Sequence, residues 1–254
     1  MPRFLHISDL HIHGSSGNSV NLEVHKRLLY LEQNFPDHIL LISGDVTDDG
    51  GIEQYEQAHT MLWYFVDKGR CFVVPGNHDY GYMGLGYSEK AAKRFDYYFG
   101  CGGVQYSDKK QVITKIIDGV LIIGLNTNLQ TINPLDFACG AVGDEQLNHL
   151  SRVLNNPENN KYKKILVLHH HLFYHTDIFM RLLDAERLIN IIRGKIDVVC
   201  FGHRHEAAIW KGKLLGTRVI AAGAFGSDNP VIREIIINKR VIVKEIKSDL
   251  SRDI

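Results

Sequence analysis

The feature that most restricts what this chain can fold into is the alternation, through its first two thirds, of short apolar runs with stretches of helical spacing. RFLHIS, HILLIS and CFVVP are separated by stretches from about Val20 to Gln33 and from about Ile52 to Lys68, where apolar residues recur every three to four positions. The runs have strand length, and parallel strands need a helical crossover between them, so the order reads β-α-β-α-β. This is parallel α/β logic. A third helical stretch, Ser88 to Phe99, leads into QVITKIID and VLIIGLN, which flank Asp118-Gly119, a strong hairpin signal. A second sheet is expected to start there. Farther on, about Asp144 to Leu154 and Ile178 to Arg193 have helical spacing, KKILVLHH and DVVCFGH read as strands, and the tail from about Glu206 to Ile246 reads as strands only. With no linker, repeat or low-complexity tract, residues 1–254 are expected to form one domain with two sheets in contact.

Five of the apolar runs end at once in side chains that can bind a metal. LHIS is followed by Asp9 and His11, LLIS by Gly44-Asp45, FVVP by Gly76-Asn77-His78-Asp79, ILVL by His169-His170-His171, and VVCF by Gly202-His203-Arg204-His205. Singly, such endings are ordinary. Aspartate after a strand often caps a helix, Gly-Asn is a common turn pair, and a lone histidine is often a satisfied core residue. Together they point to a site, because the carboxyl ends of neighbouring strands in an α/β sheet open onto one crevice. Two of these Asp, the Asn and four of the His supply oxygen and nitrogen donors without thiolate, which suits Mn, Fe, Zn or Co and argues against a closed Cys-rich zinc site. Seven donors exceed one tetrahedral shell. With a carboxylate as bridge they would serve two ions roughly 3.5–4 Å apart, the arrangement of two-metal phosphoryl chemistry. The bridge must be an aspartate, since neither Asn nor neutral His carries two anionic oxygens.

Charge and cysteine content narrow the function classes. Lys plus Arg and Asp plus Glu are 29 each, so no overall field favours nucleic acid or an anionic membrane. Cys71, Cys101, Cys139 and Cys200 lie far apart without a CxxC pair and read as reduced thiols. No segment approaches 18 consecutive apolar residues, and the amino terminus enters a strand-like run without a signal-peptide pattern, so a cytoplasmic protein is expected.

The order DxH, GD, GNHD, strand-end His and GHxH, here Asp9-Leu10-His11, Gly44-Asp45, Gly76-Asn77-His78-Asp79, His169 and Gly202-His203-Arg204-His205, resembles the signature of the calcineurin-like metallophosphoesterases. All five blocks occur in order, between residue 4 and about 205. GDVTDDGGIEQYEQA and LHHHLFY look most similar to the bacterial cyclic-nucleotide phosphodiesterase branch.

The resemblance implies an α/β fold, a four-layer α/β/β/α sandwich with two mixed β-sheets, as the β-α alternation and tail strands also suggest; strands past about Gly212 would complete the second sheet. It implies two divalent or mixed-valence transition metal ions (Mn, Fe or Zn). Asp9, His11, Asp45 and His205 would hold the first, and Asp45, Asn77, His169 and His203 the second, with Asp45 as bridge. The family often has His-His-Pro-Pro where this chain has His169-His170-His171-Leu172, so His169 is the expected ligand and His170 the fallback. His78 would act on the phosphate or the leaving oxygen, with Asp79 orienting its ring. The implied activity is hydrolysis of small phosphodiesters, cyclic nucleotides or similar, by a metal-bridging hydroxide. Alternatives are a phosphomonoesterase or a DNA-repair-type nuclease, the latter disfavoured by neutral charge and the lack of a capping domain. A protein-binding scaffold is disfavoured because every ligand is kept. The expected partner is a small phosphoester, with no membrane and no nucleic acid.

The remaining features stay open. Arg204 either reaches a substrate phosphate or pairs outward, and the Tyr80–Tyr87 segment is either a base-stacking lid or a loop. His6 and His38 read as packed or surface residues, and His13 and His175 as pocket-rim residues without an assigned role.

Overall fold

The computed structural model describes residues 1–100, 105–131, 138–173 and 176–246. Cys101 and His175 lie outside them.

The first sheet contains β1 (Arg3–Ile7), β2 (Ile39–Ile42), β3 (Cys71–Val73), β10 (Ile232–Ile237) and β11 (Val241–Ile246), in the order β11-β10-β1-β2-β3. β1, β2 and β3 are parallel, and β10 lies antiparallel beside β1 with Phe4 opposite Ile235. The crossovers are α1 (Ser19–Asn34) and α2 (Ile52–Asp67), within a residue of the predicted stretches. Asn18 caps α1 through its side chain, which accepts from Val20 N at 2.8 Å. After β3 come the single-turn α3 (Asn77–Tyr80) and then α4 (Glu89–Phe99), capped by Ser88.

The second sheet runs β4-β5-β6-β7-β9-β8, with β4 (Ile113–Ile117), β5 (Val120–Gly124), β6 (Lys163–Val167), β7 (Val198–Phe201), β8 (Ala208–Lys211) and β9 (Arg218–Ala221). The β4–β5 hairpin turns at Asp118 (φ 47°) and Gly119 (φ 79°), the positive φ pair expected there.

Side-chain alternation explains why the two sheets stack. Val120, Ile122, Ile165, Val167, Val198 and Cys200 join one core with Leu5, Ile7 and Leu41 of the first sheet. The intervening Leu121, Ile123, Leu166, Val199 and Phe201 join a second core with α5 (Asp144–Asn155) and α6 (Ala185–Ile192). Both faces of the second sheet are thus apolar, as a sheet buried on both sides requires. Val24 and Leu28 of α1 and Tyr55 and Leu62 of α2 belong to the first core, so the layers are helix, sheet, sheet, helix. Each such fully buried side chain contributes about 1.5–3 kcal/mol relative to exposure.

Two expectations need correcting. The tail strands do not all complete the second sheet: β9 and β8 do, but β10 and β11 extend the first, because β1 would otherwise be an unpaired edge. The helix expected from Ile178 starts only at Ala185, because the Asp184 carboxylate accepts from Val142 N and Gly143 N and pins the chain to the preceding loop.

Candidate metal centre

The carboxyl ends of β1, β2, β3, β6 and β7 meet at one edge of the sandwich, and backbone bonds lock the loops that leave them. Asp9 N donates to Gly44 O at 3.0 Å, Leu10 N to Asp45 O at 2.8 Å, and Gly202 N to His169 O at 3.1 Å. Across the sheets, His203 N donates to Asp9 Oδ1 at 3.1 Å. The approach is so close that glycine is required: a Cβ on Gly76 would stand 2.1 Å from Asp45 Oδ1, and one on Gly202 2.4 Å from Asp9 Oδ2. Among the described residues, eight non-glycine positions have positive φ, and five of them are Asp9 (54°), His11 (49°), Asp45 (50°), His203 (77°) and His205 (56°). Backbone held in this region costs about 1–3 kcal/mol per residue and gathers at functional sites.

All seven sequence-predicted donors converge. His11 Nε2 stands 3.0 Å from His205 Nε2, and His205 Nε2 3.4 Å from Asp9 Oδ1. In the second group, His169 Nε2 lies 3.1 Å from His203 Nδ1, and both are 3.0 Å from Asn77 Oδ1. Asp45 Oδ2 belongs to both, 3.2 Å from His169 Nε2 and 3.9 Å from His11 Nε2. Outer contacts aim these atoms inward. His169 Nδ1 donates to Ser43 O at 2.8 Å, which turns Nε2 to the cluster. Asn77 Nδ2 donates to Gly84 O at 3.1 Å, which turns Oδ1 the same way.

His78 borders the cluster: its backbone N donates to Asp45 Oδ1 at 3.0 Å, and its ring meets that of His11 edge-on at 4.6 Å. The expectation that Asp79 orients this ring is corrected. Asp79 Oδ1 accepts from Thr47 N at 2.9 Å and Thr47 Oγ1 at 3.0 Å, and Oδ2 from Gly76 N at 2.8 Å, so the carboxylate ties the loop after β3 to the loop after β2. The His78 ring is held instead by Asp48, whose carbonyl accepts from Nδ1 at 2.7 Å. Sequence reasoning missed Asp48. Its carboxylate also lies 3.4 Å from His11 Nδ1 and 3.4 Å from His13 Nδ1; the only sequence signal was a second acid three residues after Asp45.

The three consecutive histidines have different partners. His170, the fallback ligand, is occupied elsewhere, with Nδ1 2.7 Å from Thr127 Oγ1 and Nε2 3.2 Å from Ala138 O. His171 packs against Phe201 and Trp210. Arg204 takes the outward option and pairs with Asp177. His6 is buried in β1, 2.9 Å from Ser43 Oγ, and His38 meets Glu234 at 3.0 Å.

The family model for calcineurin-like phosphoesterases matches residues 2–207. This chain belongs to the calcineurin-like phosphoesterase family. It is also 25% identical over 224 residues to a probable cyclic nucleotide phosphodiesterase of Vesicomyosocius okutanii subsp. Calyptogena okutanii (strain HA), 85% of this chain and 83% of that one. Among solved structures, a dimetal phosphatase from Danio rerio is 13% identical with a TM-score of 0.66, covering 96% of this chain and 95% of its own. A putative 5′-nucleotidase from Staphylococcus aureus is 16% identical with a TM-score of 0.56, covering 96% of this chain and 52% of its own. These likenesses show the four-layer fold.

As a calcineurin-like phosphoesterase, the protein is a metal-dependent phosphoric ester hydrolase of a family that works with two metal ions. The side chains suit such ions. Two facing imidazole nitrogens at about 3 Å, twice over, cannot both donate to each other, whereas lone pairs converging on a cation satisfy both. His203 Nε2 is buried with no hydrogen-bond partner, as expected when Nδ1 rather than Nε2 faces the cluster. Without cations, charge balance rests on protons. Burial lowers the affinity of His169 for a proton, but Asp45 and Asp9 outweigh it and raise its pKa to about 9. His11, raised mainly by Asp48 and Asp45 against the same burial, also reaches about 9. Burial and the charge on His169 push His203 down to about 3. Burial also penalises the Asp45 carboxylate, yet His169, His78 and His11 hold it well below its ordinary range. Among the described residues, no helix is long and apolar enough to cross a membrane.

Proposed function

We propose that this phosphoesterase hydrolyses small phosphodiesters, a cyclic nucleotide or a similar compact diester, with two transition-metal ions, Mn, Fe or Zn. Asp9, His11, Asp45 and His205 would hold one ion, and Asp45, Asn77, His169 and His203 the other, with Asp45 shared. The observation that carries the reading is the position of Asp45 Oδ2 between His11 and His169, with His78 alongside. When bound there, two such cations would supply Lewis acidity to the phosphoryl oxygens and to the attacking water. The residues do the rest. Because a carbonyl can only accept, His78 Nδ1 keeps its proton against Asp48 O, and Nε2 is the nitrogen that hands a proton to the leaving oxygen. Asp79 keeps the two loops in register rather than touching substrate. A phosphodiester is preferred because the relative matched over 85% of this chain is named a probable cyclic nucleotide phosphodiesterase. Equal numbers of acidic and basic residues, 29 each, do not favour nucleic acid.

The test is a panel of bis-p-nitrophenyl phosphate, p-nitrophenyl phosphate, 2′,3′- and 3′,5′-cyclic AMP and single-stranded DNA, assayed with Mn, Zn and Fe. Turnover of the small diesters is expected to exceed that of the monoester and of DNA. Faster DNA cleavage would overturn the reading.

A further inference from the structure

Lys164 is a charge in an apolar row. It stands on the same face of β6 as Leu166, which joins the second core with Leu154, Leu188 and Ile196. Lys164 is itself only 7% exposed. Its Nζ donates to Tyr162 O at 3.2 Å, and among the described residues no carboxylate pairs with it. The nearby acid is occupied: Asp197 Oδ1 accepts from Lys163 Nζ at 2.8 Å and Oδ2 from Lys164 N at 2.9 Å. Burial pushes the pKa of Lys164 below its ordinary value, and Asp197 offsets only part of this. An ammonium taken out of water without a counter-charge costs free energy until an anion meets it.

This ammonium lines a cleft of about 480 Å³ whose walls include Lys161, Tyr162, Lys163, Lys195 and Asp197. Four of the lining residues are lysines and one is an acid. Lys161, Lys163 and Lys164 come from the entry of β6, and Lys195 from the turn before β7. Partners outside the cleft neutralise little: Lys195 Nζ donates to the neutral Asn155 Oδ1 at 2.8 Å, and Lys161 lies 3.7 Å from Glu158 with both side chains exposed. The cleft is at the opposite end of the strands from the metal centre. Five residues, roughly 17 Å of strand, separate Lys164 from His169. Its volume suits a small molecule. Lysines approaching from two sides suit phosphate groups, which ammonium ions meet as point charges.

We propose that this cleft is a second anion site, separate from the metal centre, which takes a small molecule with two phosphate groups, one beside Lys161 and Lys164 and the other beside Lys195. The site does not rest on the hydrolase reading.

Titration calorimetry on the Mn-loaded protein tests it with fructose 1,6-bisphosphate, fructose 6-phosphate and sulfate at constant ionic strength. The bisphosphate is expected to bind roughly 10-fold or more tighter than either of the others. Lys164→Met keeps the apolar stem and removes the charge, and is expected to weaken the bisphosphate roughly 10-fold or more. Lys195→Ala, at an exposed position that folding tolerates, is expected to weaken it roughly 3- to 10-fold. Hydrolysis of bis-p-nitrophenyl phosphate without added anion should stay unchanged in both. Under limiting acetic anhydride, mass spectrometry should find Lys161 and Lys195 protected by the bisphosphate, and Lys26 of α1 and Lys93 of α4 not. Equal affinity in wild type and both variants, or protection of neither cleft lysine, would overturn the site, since the binding would then belong to the metal centre. Affinity for the bisphosphate no greater than for sulfate would overturn it too and leave a diffuse basic patch. Retention on heparin that is lost in Lys195→Ala, with no bisphosphate binding, would assign the face to a polyanion instead. Bisphosphate binding that behaves as expected in a protein that hydrolyses no ester would sink the hydrolase reading and leave this site standing.

Discussion

The His78 ring takes its orientation from Asp48, whose backbone carbonyl accepts from Nδ1 at 2.7 Å, and not from its sequence neighbour Asp79. A carbonyl has no proton to give, so the tautomer is set by the fold and no carboxylate needs to be charged to hold it. This separates two roles that lie side by side in the chain.

His78→Ala is therefore expected to keep both metals, since the ring lies outside the seven-donor set, while kcat on a cyclic nucleotide falls roughly 10²–10⁴-fold. The deficit should shrink on bis-p-nitrophenyl phosphate, whose leaving group departs without a proton. Elemental analysis and kcat on both substrates check this. An equal loss on both would assign His78 to charge stabilisation instead.

Asp79→Asn should behave as a structural lesion. Its two oxygens accept three hydrogen bonds, from Thr47 N, Thr47 Oγ1 and Gly76 N. An amide replaces one acceptor by a donor facing donors, at about 1–3 kcal/mol. Denaturant melts should show that loss, with no dependence of the kinetic deficit on leaving-group quality.

Asp45→Ala removes the oxygen shared by both donor groups, so loss of both metals is expected by elemental analysis. His205→Ala should weaken mainly the site with Asp9, and Asn77→Ala mainly the site with His169. Retention of two full equivalents in Asp45→Ala would exclude it as the bridge.

Acid–base behaviour should change with metal. In the metal-free protein His11 and His169 titrate at about 9, above the ordinary 6.5. A raised folded-state pKa stabilises fully below the unfolded value and is lost as pH rises through the folded one. The stability of EDTA-treated protein should thus fall between roughly pH 6.5 and 9. The metal-loaded protein should not show this slope, because cations take the place of those protons. Metal uptake near pH 7 should release about two protons, measurable by calorimetry in buffers of different ionisation enthalpy.

Glycine at the strand ends is required by distance. Gly202→Ala would bring a Cβ to 2.0 Å from Ser8 Oγ and 2.4 Å from Asp9 Oδ2, whereas at Gly17 a Cβ meets nothing within 4 Å. The first substitution is expected to cost about 1–3 kcal/mol and to lower metal occupancy. The second should change neither, as thermal melts and elemental analysis would show.

What the sequence determined by itself was set by local physics. Short apolar runs located the strands to within about three residues, and 3.6-residue spacing located α1, α2, α4 and α5 to within one. Asp118-Gly119 marked the hairpin because few pairs accept positive φ twice, and the polar strand ends marked the cleft because such residues have no place in a packed core. The rest depended on partners far away in the chain. Ile232–Ile237 and Val241–Ile246 read as strands without naming their sheet, and only the open edge of β1 drew them to the first. His169 and His170 follow each other after β6, and residue order does not say which meets Thr127 and which Asp45. Helical spacing from Ile178 onward could not reveal that Asp184 would be claimed by Val142 and Gly143. Asp79 and Asp48 are both acids in loops that follow strands. Which of them reaches His78 is decided by the stacking of β2 and β3, because a hydrogen bond needs a fit of a few tenths of an ångström that residue spacing along the chain does not encode.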